Sequence, residues 1–155
     1  MQNIYLTCIV EDDPYMQRFL KGLLHLMVDY QFQINIAESL EDATRLLQSK
    51  EPDIILLDLL LPDSEGISTF EAISDLAPYT PIVVVTGTEI NTAGRLDAEM
   101  DLYLRKGTIN AYNFKELIEA AIEKRKFFKT ISRFREVKNA VVKTTQMMNN
   151  KYASV

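Results

Sequence analysis

Acidic, basic and hydroxyl side chains stand at the ends of successive apolar runs in this sequence. Glu11 and Asp12 follow the first run, Asp58 lies within the third, Thr86 ends the fourth, and Lys106 follows the fifth. Three carboxylates brought together repel one another, so they should not all stay ionised without a cation. Mg²⁺ suits such a group, because it takes one or two carboxylates and completes its shell with water and phosphate oxygens. An ammonium and a hydroxyl suit the remaining phosphoryl oxygens, and a carboxylate can itself be the nucleophile.

The stretch from Pro52 to Gly66 is the element around which these residues are arranged. Its apolar run, from Ile54 to Leu61, has the length and composition of a strand buried on both faces of a parallel sheet. Pro62 and Gly66 then mark a turn. Asp58 is therefore expected near the carboxyl end of a central strand, where open α/β sheets place their ligand sites.

Five apolar segments predict strands, and five helical segments alternate with them. The strands are expected over residues 4–10, 32–37, 53–58, 81–85 and 102–104. The helices are expected to begin at Pro14, to follow a cap at Ser39, to end before Pro78, to cover residues 89–99, and to follow a cap formed by Asn113 with Glu116. Right-handed crossovers then give a doubly wound, five-stranded parallel sheet, an α/β fold, with an extended C-terminal helix.

Composition restricts the class of protein. The chain has 155 residues, of which 47% are hydrophobic and 25% charged, as is usual for one globular domain. No apolar run approaches the roughly 20 residues of a membrane helix, and no signal-peptide pattern opens the chain. The single Cys8 favours a reducing compartment, so we predict a cytoplasmic protein without membrane association. His25 is the only histidine and is expected at a helix surface.

Each candidate residue also has an ordinary structural explanation. Asp12 or Asp13 could simply cap a helix, Thr86 could be a turn residue, and Lys106 could be a solvated charge. The site interpretation is favoured because complementary side chains follow four different strands, whose carboxyl ends share one edge of a parallel sheet.

With these residues in view, the sequence resembles the receiver domain of two-component response regulators. The resemblance covers about residues 4 to 125 and rests on four motifs, Ile9-Val10-Glu11-Asp12-Asp13-Pro14, Leu56-Leu57-Asp58 with Pro62 and Gly66, Val84-Val85-Thr86-Gly87, and Tyr103-Leu104-Arg105-Lys106. It implies the flavodoxin-like strand order 2-1-3-4-5. It also implies a phosphorelay switch that takes its phosphoryl group from a histidine kinase or phosphotransfer protein and turns over no metabolite.

The resemblance assigns a role to each matching position. It implies that Asp58 is the phosphoacceptor and that Thr86 and Lys106 bind the phosphate. Thr86 and Tyr103 would form the switch pair. The implied magnesium ligands are Asp12, Asp58 and the backbone carbonyl of Leu60, with Glu11 acting through water.

Three features depart from the family's usual pattern. Gly107 follows the lysine where the family usually has proline, often in a cis bond. The interval from Thr86 to Lys106 is about two residues shorter than is common and contains Gly94, which would shorten or displace the fourth helix. Leu60 places an apolar side chain beside Asp58, where it is expected to shield a phosphate from water and slow hydrolysis.

Two other functions fit parts of the same pattern. An aspartyl-phosphate phosphatase of the haloacid dehalogenase type would use a similar site, but it carries a second acid two residues after the nucleophile, where this chain has Leu60. A nucleotide-binding module would want a glycine-rich turn after the first strand. Glu11-Asp12-Asp13-Pro14 has the opposite chemistry, since it repels phosphate in the absence of a metal.

The C-terminal part differs in charge, which divides the chain into a receiver domain over residues 1–125 and a helical extension over 126–155. Residues 1–114 carry a net charge of −11 and residues 115–155 carry +6. Six apolar residues of the extension recur at alternating steps of three and four, with Lys138 and Thr145 at the two remaining positions: Phe127, Ile131, Phe134, Val141, Met148 and Tyr152. This broken heptad predicts either a coiled coil or a solvated helix extension.

We expect the last helix to continue through at least residue 135 and to dock on a partner, with a homodimer the favoured arrangement. The basic residues of this region suit nucleic acid in charge, but no DNA-reading motif accompanies them, so nucleic acid is not the expected partner.

Overall fold

The computed structural model describes residues 3–87 and 102–153. The strands are β1 (Ile4–Val10), β2 (Gln31–Ala37), β3 (Ile54–Leu57), β4 (Leu60–Leu61), β5 (Ser64–Glu65), β6 (Ile82–Thr86) and β7 (Tyr103–Arg105). The helices are α1 (Pro14–His25), α2 (Leu40–Ser49), α3 (Ile67–Leu76) and α4 (Ala111–Tyr152), and a short 3-10 helix spans Lys106–Thr108. The helix predicted over residues 89–99 lies outside the described residues.

The main sheet has five parallel strands in the order β2-β1-β3-β6-β7. This order confirms the predicted doubly wound α/β fold. The remaining two strands, β4 and β5, form a small antiparallel hairpin directly after β3, which corrects the prediction of one strand over the apolar run from Ile54 to Leu61. That run is divided because β3 ends at Leu57 and Leu60–Leu61 pairs with Ser64–Glu65 instead of with the main sheet. With β1 and β6 on either side, β3 is the central strand, and the residue after it emerges at the middle of the carboxyl edge.

Two apolar clusters cover the two faces of the sheet. One packs α1 and α4 against residues such as Ile9, Leu56 and Val85, and the other packs α2 and α3 against neighbours such as Val10 and Leu57. Adjacent residues of one strand belong to different clusters because side chains alternate across a strand. Burying each of these side chains contributes about 1.5–3 kcal/mol, so both faces hold the central strand in place.

The helix starts follow the sequence signals, with one correction. The Asp13 side chain accepts a hydrogen bond from the Tyr15 backbone at 2.9 Å and caps α1, and Pro14 takes the first helical position. Ser39 caps α2 as predicted. The predicted cap of the final helix was wrong, because Asn110 is the N-cap and forms a capping box with Asn113, which accepts from the Asn110 backbone at 2.9 Å. Capping therefore begins three residues earlier than the Asn113 and Glu116 spacing indicated.

Helix α4 continues without a break to Tyr152, well past residue 135, which confirms the predicted long helix. The predicted domain boundary at residue 125 falls inside it, and that division stays a prediction. In the part of the chain that the structure describes, no helix is both long and apolar enough to cross a bilayer. Cys8 is fully buried in β1, where burial raises the pKa of its thiol to about 12, as expected for a small core residue. His25 lies exposed at the end of α1.

An ionic clamp attaches α4 to the amino-terminal edge of the sheet; we define it as Glu51, Asp53, Arg125 and Lys129. The buried Arg125 guanidinium donates to Asp53 Oδ1 at 3.2 Å, to Glu51 Oε1 at 2.8 Å and to the Tyr79 carbonyl at 2.6 Å. Lys129 lies 2.8 Å from Asp53 Oδ1. Arg125 and Lys129, two of the basic residues of the C-terminal region, are thus paired with acids of the same chain.

Asp53 is the centre of the clamp because it joins two elements. Its second oxygen, Oδ2, accepts from the Leu6 backbone in β1 at 2.9 Å, while its first contacts α4. Partial burial raises the pKa of Asp53, but the hydrogen bonds from Lys129, Leu6 and Arg125 outweigh burial and hold that pKa below its ordinary value. The ionised form is therefore favoured by folding.

Asp53→Asn should lower the free energy of unfolding by about 1–3 kcal/mol at neutral pH, because it weakens bonds to two cationic groups. Since folding lowers the pKa of Asp53, this contribution is complete above its unfolded pKa of about 3.9 and is lost as pH falls below that value. Urea unfolding from pH 7 to pH 3 should therefore show wild type and variant converging at acid pH.

The matched control is Glu51→Gln, which alters a mostly exposed carboxylate bound to the same Arg125. Its effect should stay within about 0.5 kcal/mol, as is usual for surface positions. Equal destabilisation by the two substitutions would show that Asp53 is not the centre of the clamp.

Candidate functional site

The acidic loop after β1 is fixed by backbone contacts that leave its side chains at the carboxyl edge. The Glu11 backbone donates to the Ala37 carbonyl at 3.0 Å, and its own carbonyl accepts from the buried Gln17 side chain at 2.8 Å. Asp13 is occupied as the cap of α1. The capping role that the sequence left open between two residues thus falls to Asp13, and Asp12 remains exposed at the rim of the site.

Asp58 follows the last residue of β3 and is 5% exposed. Its backbone donates to the Val10 carbonyl at 2.9 Å, which aligns it with the end of β1. Its Oδ1 accepts two hydrogen bonds, from the Thr86 hydroxyl at 2.9 Å and from the Leu60 backbone at 3.1 Å. These donors fix the orientation of the carboxylate.

Lys106 provides the positive charge of the site. It begins the 3-10 helix after β7, and its Nζ lies 2.6 Å from Asp58 Oδ2 and 2.7 Å from Glu11 Oε2. Partial burial lowers the pKa of Lys106, but the bonds to the two carboxylates outweigh burial, so that pKa lies above its ordinary value. One ammonium therefore compensates two buried acids.

Glu11 is the acid least well compensated by the protein. Burial raises the pKa of Glu11, the Lys106 ammonium and the Asp13 backbone oppose that rise, and the Asp58 charge adds to it, with a net upward shift. Burial is the largest cause of the rise in the pKa of Glu11, and repulsion by Asp58 is a smaller one. Glu11 Oε2 lies 2.7 Å from the Lys106 ammonium, which Glu11 shares with Asp58.

The acids fit a hard divalent cation. Glu11, Asp12 and Asp58 each offer a carboxylate oxygen, and these oxygens lie within 4.8 Å of one another. Glu11 and Asp58 share the single ammonium of Lys106, so the cluster keeps an excess of negative charge that a cation would offset. An all-oxygen, partly exposed set of this kind suits Mg²⁺ better than the softer transition metals. The predicted backbone ligand, the Leu60 carbonyl, lies in β4 beside the site.

The structure brings the side chains of Glu11, Thr86 and Lys106 around Asp58. The side chains of Tyr103 and Leu60 lie at the periphery of this group. Tyr103 is opposite Val84 in the β6–β7 pairing and, by strand alternation, lies on the same face of the sheet as Thr86. It is 36% exposed. The Leu60 side chain is largely exposed next to Asp58. Their predicted roles, switch residue and apolar shield, stay predictions.

Two supporting residues were not found from the sequence. Gln17 lies on α1 six residues after Glu11, and its contact with the Glu11 carbonyl depends on the turn that Asp13 and Pro14 produce. Asp63 lies in the β4–β5 turn and accepts from the backbones of Leu40 and Glu41 at 2.8 and 3.0 Å. These hydrogen bonds hold the pKa of Asp63 below its ordinary value. The sequence places Asp63 in a turn after Pro62, but a turn position does not predict that its side chain binds the start of α2.

A comparison with protein families gives one match that spans most of the chain. The family model described as response regulator receiver domain matches residues 7–121. Among curated proteins, the KDP operon transcriptional regulatory protein KdpE of Escherichia coli is 35% identical over 102 residues, which are 63% of this chain and 43% of that protein. The chain matches less than half the length of the first curated relatives.

Solved structures agree on the fold. A CheY-like response regulator receiver domain protein from Methanospirillum hungatei is 25% identical, with a TM-score of 0.67 over 80% of this chain and 98% of that one. The receiver domain of a sensor histidine kinase from Pseudomonas aeruginosa, solved with a magnesium ion coordinated in its active site cleft, is 20% identical. It covers 78% of this chain and 99% of that chain, with a TM-score of 0.62, and its likeness concerns the fold alone.

Millimolar Mg²⁺ should raise the melting temperature of this protein, because a ligand that binds only the folded site stabilises it. Asp12→Asn should abolish most of that rise. The control is Asp13→Asn, which changes the neighbouring carboxylate in the same way and keeps a good helix cap. Differential scanning calorimetry with and without Mg²⁺ measures the effect. A wild type that is indifferent to Mg²⁺, or equal losses in both variants, would contradict the assignment.

Proposed function

The chain belongs to the response regulator receiver domain family of two-component signalling, and from that premise we propose that it is a phosphorylation-controlled switch whose phosphoacceptor is Asp58. The supporting observation is the position of that carboxylate. It is buried at the end of the central strand, within 2.6 Å of an ammonium and 2.9 Å of a hydroxyl, in a cluster of acids that suits a divalent cation. A purely structural carboxylate would not need so many groups that also bind phosphate.

The proposed reaction is the transfer of a phosphoryl group from a phosphohistidine to Asp58. An oxygen of the ionised carboxylate attacks phosphorus, the new O–P bond forms, and the P–N bond breaks with its electron pair passing to the imidazole. No oxidation or reduction occurs. The switch is reset by hydrolysis, a separate step in which water attacks phosphorus, the acyl O–P bond breaks, and inorganic phosphate and the Asp58 carboxylate are released. Exposed Leu60 beside the site is proposed to hinder that water.

The chain's own residues prepare this step in two ways. Lys106 neutralises Asp58 before transfer and pairs with a phosphate oxygen afterwards, a shift of partner that needs little movement from its present 2.6 Å contact. Glu11, Asp12, Asp58 and the Leu60 carbonyl are the groups we propose for Mg²⁺, with Glu11 reaching it through water. When bound, Mg²⁺ offsets the negative charge of the acids and of the incoming phosphoryl group.

The partners follow from the family at a general level. Receiver domains interact with histidine kinases or phosphotransfer proteins, and we propose a partner of this class as the phosphodonor. We propose that the chain turns over no metabolite and acts in the cytoplasm. The haloacid dehalogenase alternative is disfavoured because Leu60, two residues after Asp58, offers only an apolar side chain where that chemistry needs an acid.

The switch is proposed to begin at Thr86. Its hydroxyl is already bound to Asp58 Oδ1, so a phosphate on Asp58 would attract the same hydroxyl to a phosphate oxygen. Thr86 ends β6 beside β7, and Tyr103 lies on the same face of the sheet. A small shift of Thr86 can therefore change the packing that Tyr103 experiences, which biases two surface arrangements.

Asp58→Asn should abolish the incorporation of phosphate from acetyl phosphate and Mg²⁺, because the amide lacks the nucleophilic oxygen pair. The wild-type product should be an acyl phosphate, stable in acid and labile in alkali. Asp63→Asn is the control. It makes the same change at a nearby aspartate whose side chain binds the first turn of α2 and does not face the site. Intact-protein mass spectrometry should show one phosphate on wild type and on the control. Undiminished labelling of Asp58→Asn would exclude this phosphoacceptor.

Thr86→Ala should still accept phosphate but transmit it poorly to the surface, because the hydroxyl that changes partner is missing. Thr86→Ser keeps the hydroxyl and should respond as wild type does. The measurement is the change in amide chemical shifts of β6 and β7 on adding beryllofluoride with Mg²⁺. Shifts in Thr86→Ala that match those of wild type would refute the relay.

A further inference from the structure

From Phe127 onward, α4 carries an exposed apolar face. We call this face the apolar stripe and define it as Phe127, Ile131, Phe134, Val141, Met148 and Tyr152. Its side chains are between 40% and 73% exposed. Single exposed apolar residues are ordinary, but a row of six along one helix marks an interaction surface.

The clamp determines which way the stripe points. Arg125 and Lys129 turn toward the sheet, where they contact Asp53. With 3.6 residues per turn, Phe134 lies about two and a half turns beyond Arg125 and Tyr152 about seven and a half, so both point to the opposite side of the helix. The part of the domain that the structure describes therefore leaves Phe134 and Tyr152 exposed on the side away from the clamp.

Most charges of α4 lie away from the stripe. Lys126, Arg133 and Lys143 fall about 80° or more away from the line through Phe134 and Tyr152 at 3.6 residues per turn. Most positions that flank the heptad seam are neutral, namely Phe128, Thr130, Val137, Val142, Thr144 and Asn149. The charged flanking residues are Lys151 and Arg135, and Arg135 donates to the Tyr79 hydroxyl at 2.7 Å. Within the seam the charged residue is Lys138, so repulsion between two copies is concentrated there.

We propose that the stripe pairs with the stripe of a second copy of this chain, as a parallel two-helix coiled coil. A heptad seam packs by inserting its side chains between those of a helix with the same repeat, and a second copy supplies that repeat over the full length. In a parallel pair Ile131, Lys138, Thr145 and Tyr152 each face their own counterparts. Lys138 and Thr145 cost stability there, and they fix the register, as polar residues at such positions do.

This pairing is independent of the proposed phosphorylation. The clamp and the stripe lie on the side of the amino-terminal edge of the sheet, whereas Asp58 lies at the carboxyl edge. The clamp residues and the residues that contact Asp58 are different sets. Asp58→Asn is therefore expected to have the same assembly state as wild type, and a failure of phosphorylation leaves the pairing test readable.

The test is sedimentation equilibrium of the full chain and two double variants. Wild type should have twice the monomer mass of 17.8 kDa. Val141→Lys with Met148→Lys should raise the dimer dissociation constant at least about tenfold. The control, Ala140→Lys with Met147→Lys, moves both changes by one residue to the side facing away from the stripe and should leave the constant within about twofold. Lysine favours a helix more than valine and about as much as methionine, so neither change should unfold α4 and cause dissociation in that way.

Orientation is tested with a single introduced thiol, since Cys8 is fully buried. Met148→Cys should form a disulfide-linked dimer under mild oxidation, and Met147→Cys should do so far less. A monomeric full chain at the highest concentration reached would overturn the proposal and leave the stripe to a different protein. A mass of three or more chains, equal weakening by both double variants, or a doubled mass without the Met148→Cys disulfide would each overturn the parallel pair.

Discussion

The contact of Lys106 with two buried carboxylates is the interaction on which the functional edge of this protein depends. Asp58 emerges from a strand with both faces buried, where an isolated charge would be very costly. A single ammonium, 2.6 Å from Asp58 and 2.7 Å from Glu11, makes that position tenable and leaves the site one positive charge short. The remaining negative charge is one that a divalent cation would offset.

The two edges of the sheet solve similar electrostatic problems differently. At the amino edge, Asp53 receives bonds from a guanidinium, an ammonium and a backbone amide, so its charge is satisfied within the chain. At the carboxyl edge, Glu11 and Asp58 share one ammonium, that of Lys106. The cluster at the amino edge fixes α4, whereas the cluster at the carboxyl edge keeps an excess of negative charge.

Local patterns were sufficient to predict the five strands of the main sheet and the residues that follow them, because a short, continuous apolar run is typical of a strand buried on both faces. That is why Asp58, Thr86 and Lys106 could be placed at one edge. Local patterns did not predict the β4–β5 hairpin, whose two-residue strands carry no such pattern. The sequence could not show that Asp53 and Arg125 meet, since 72 residues separate them and each resembles an ordinary surface charge. The cap of α4 was misplaced because Asn110 and Asn113 both have suitable side chains, and only the backbone geometry selects Asn110.

The attachment of α4 at one end has a mechanical consequence. Within the described residues, the contact from Arg135 to Tyr79 is the furthest along the helix that reaches back to the domain. Tyr152 then stands about 26 Å beyond it at 1.5 Å per residue. Over that length, a tilt of about 10° at the attachment moves the tip by about 4 Å, more than a hydrogen bond spans. Small rotations of α4 at the domain are therefore enlarged at its C-terminal end. The rigidity of the clamp limits those rotations and so determines how precisely Tyr152 is positioned.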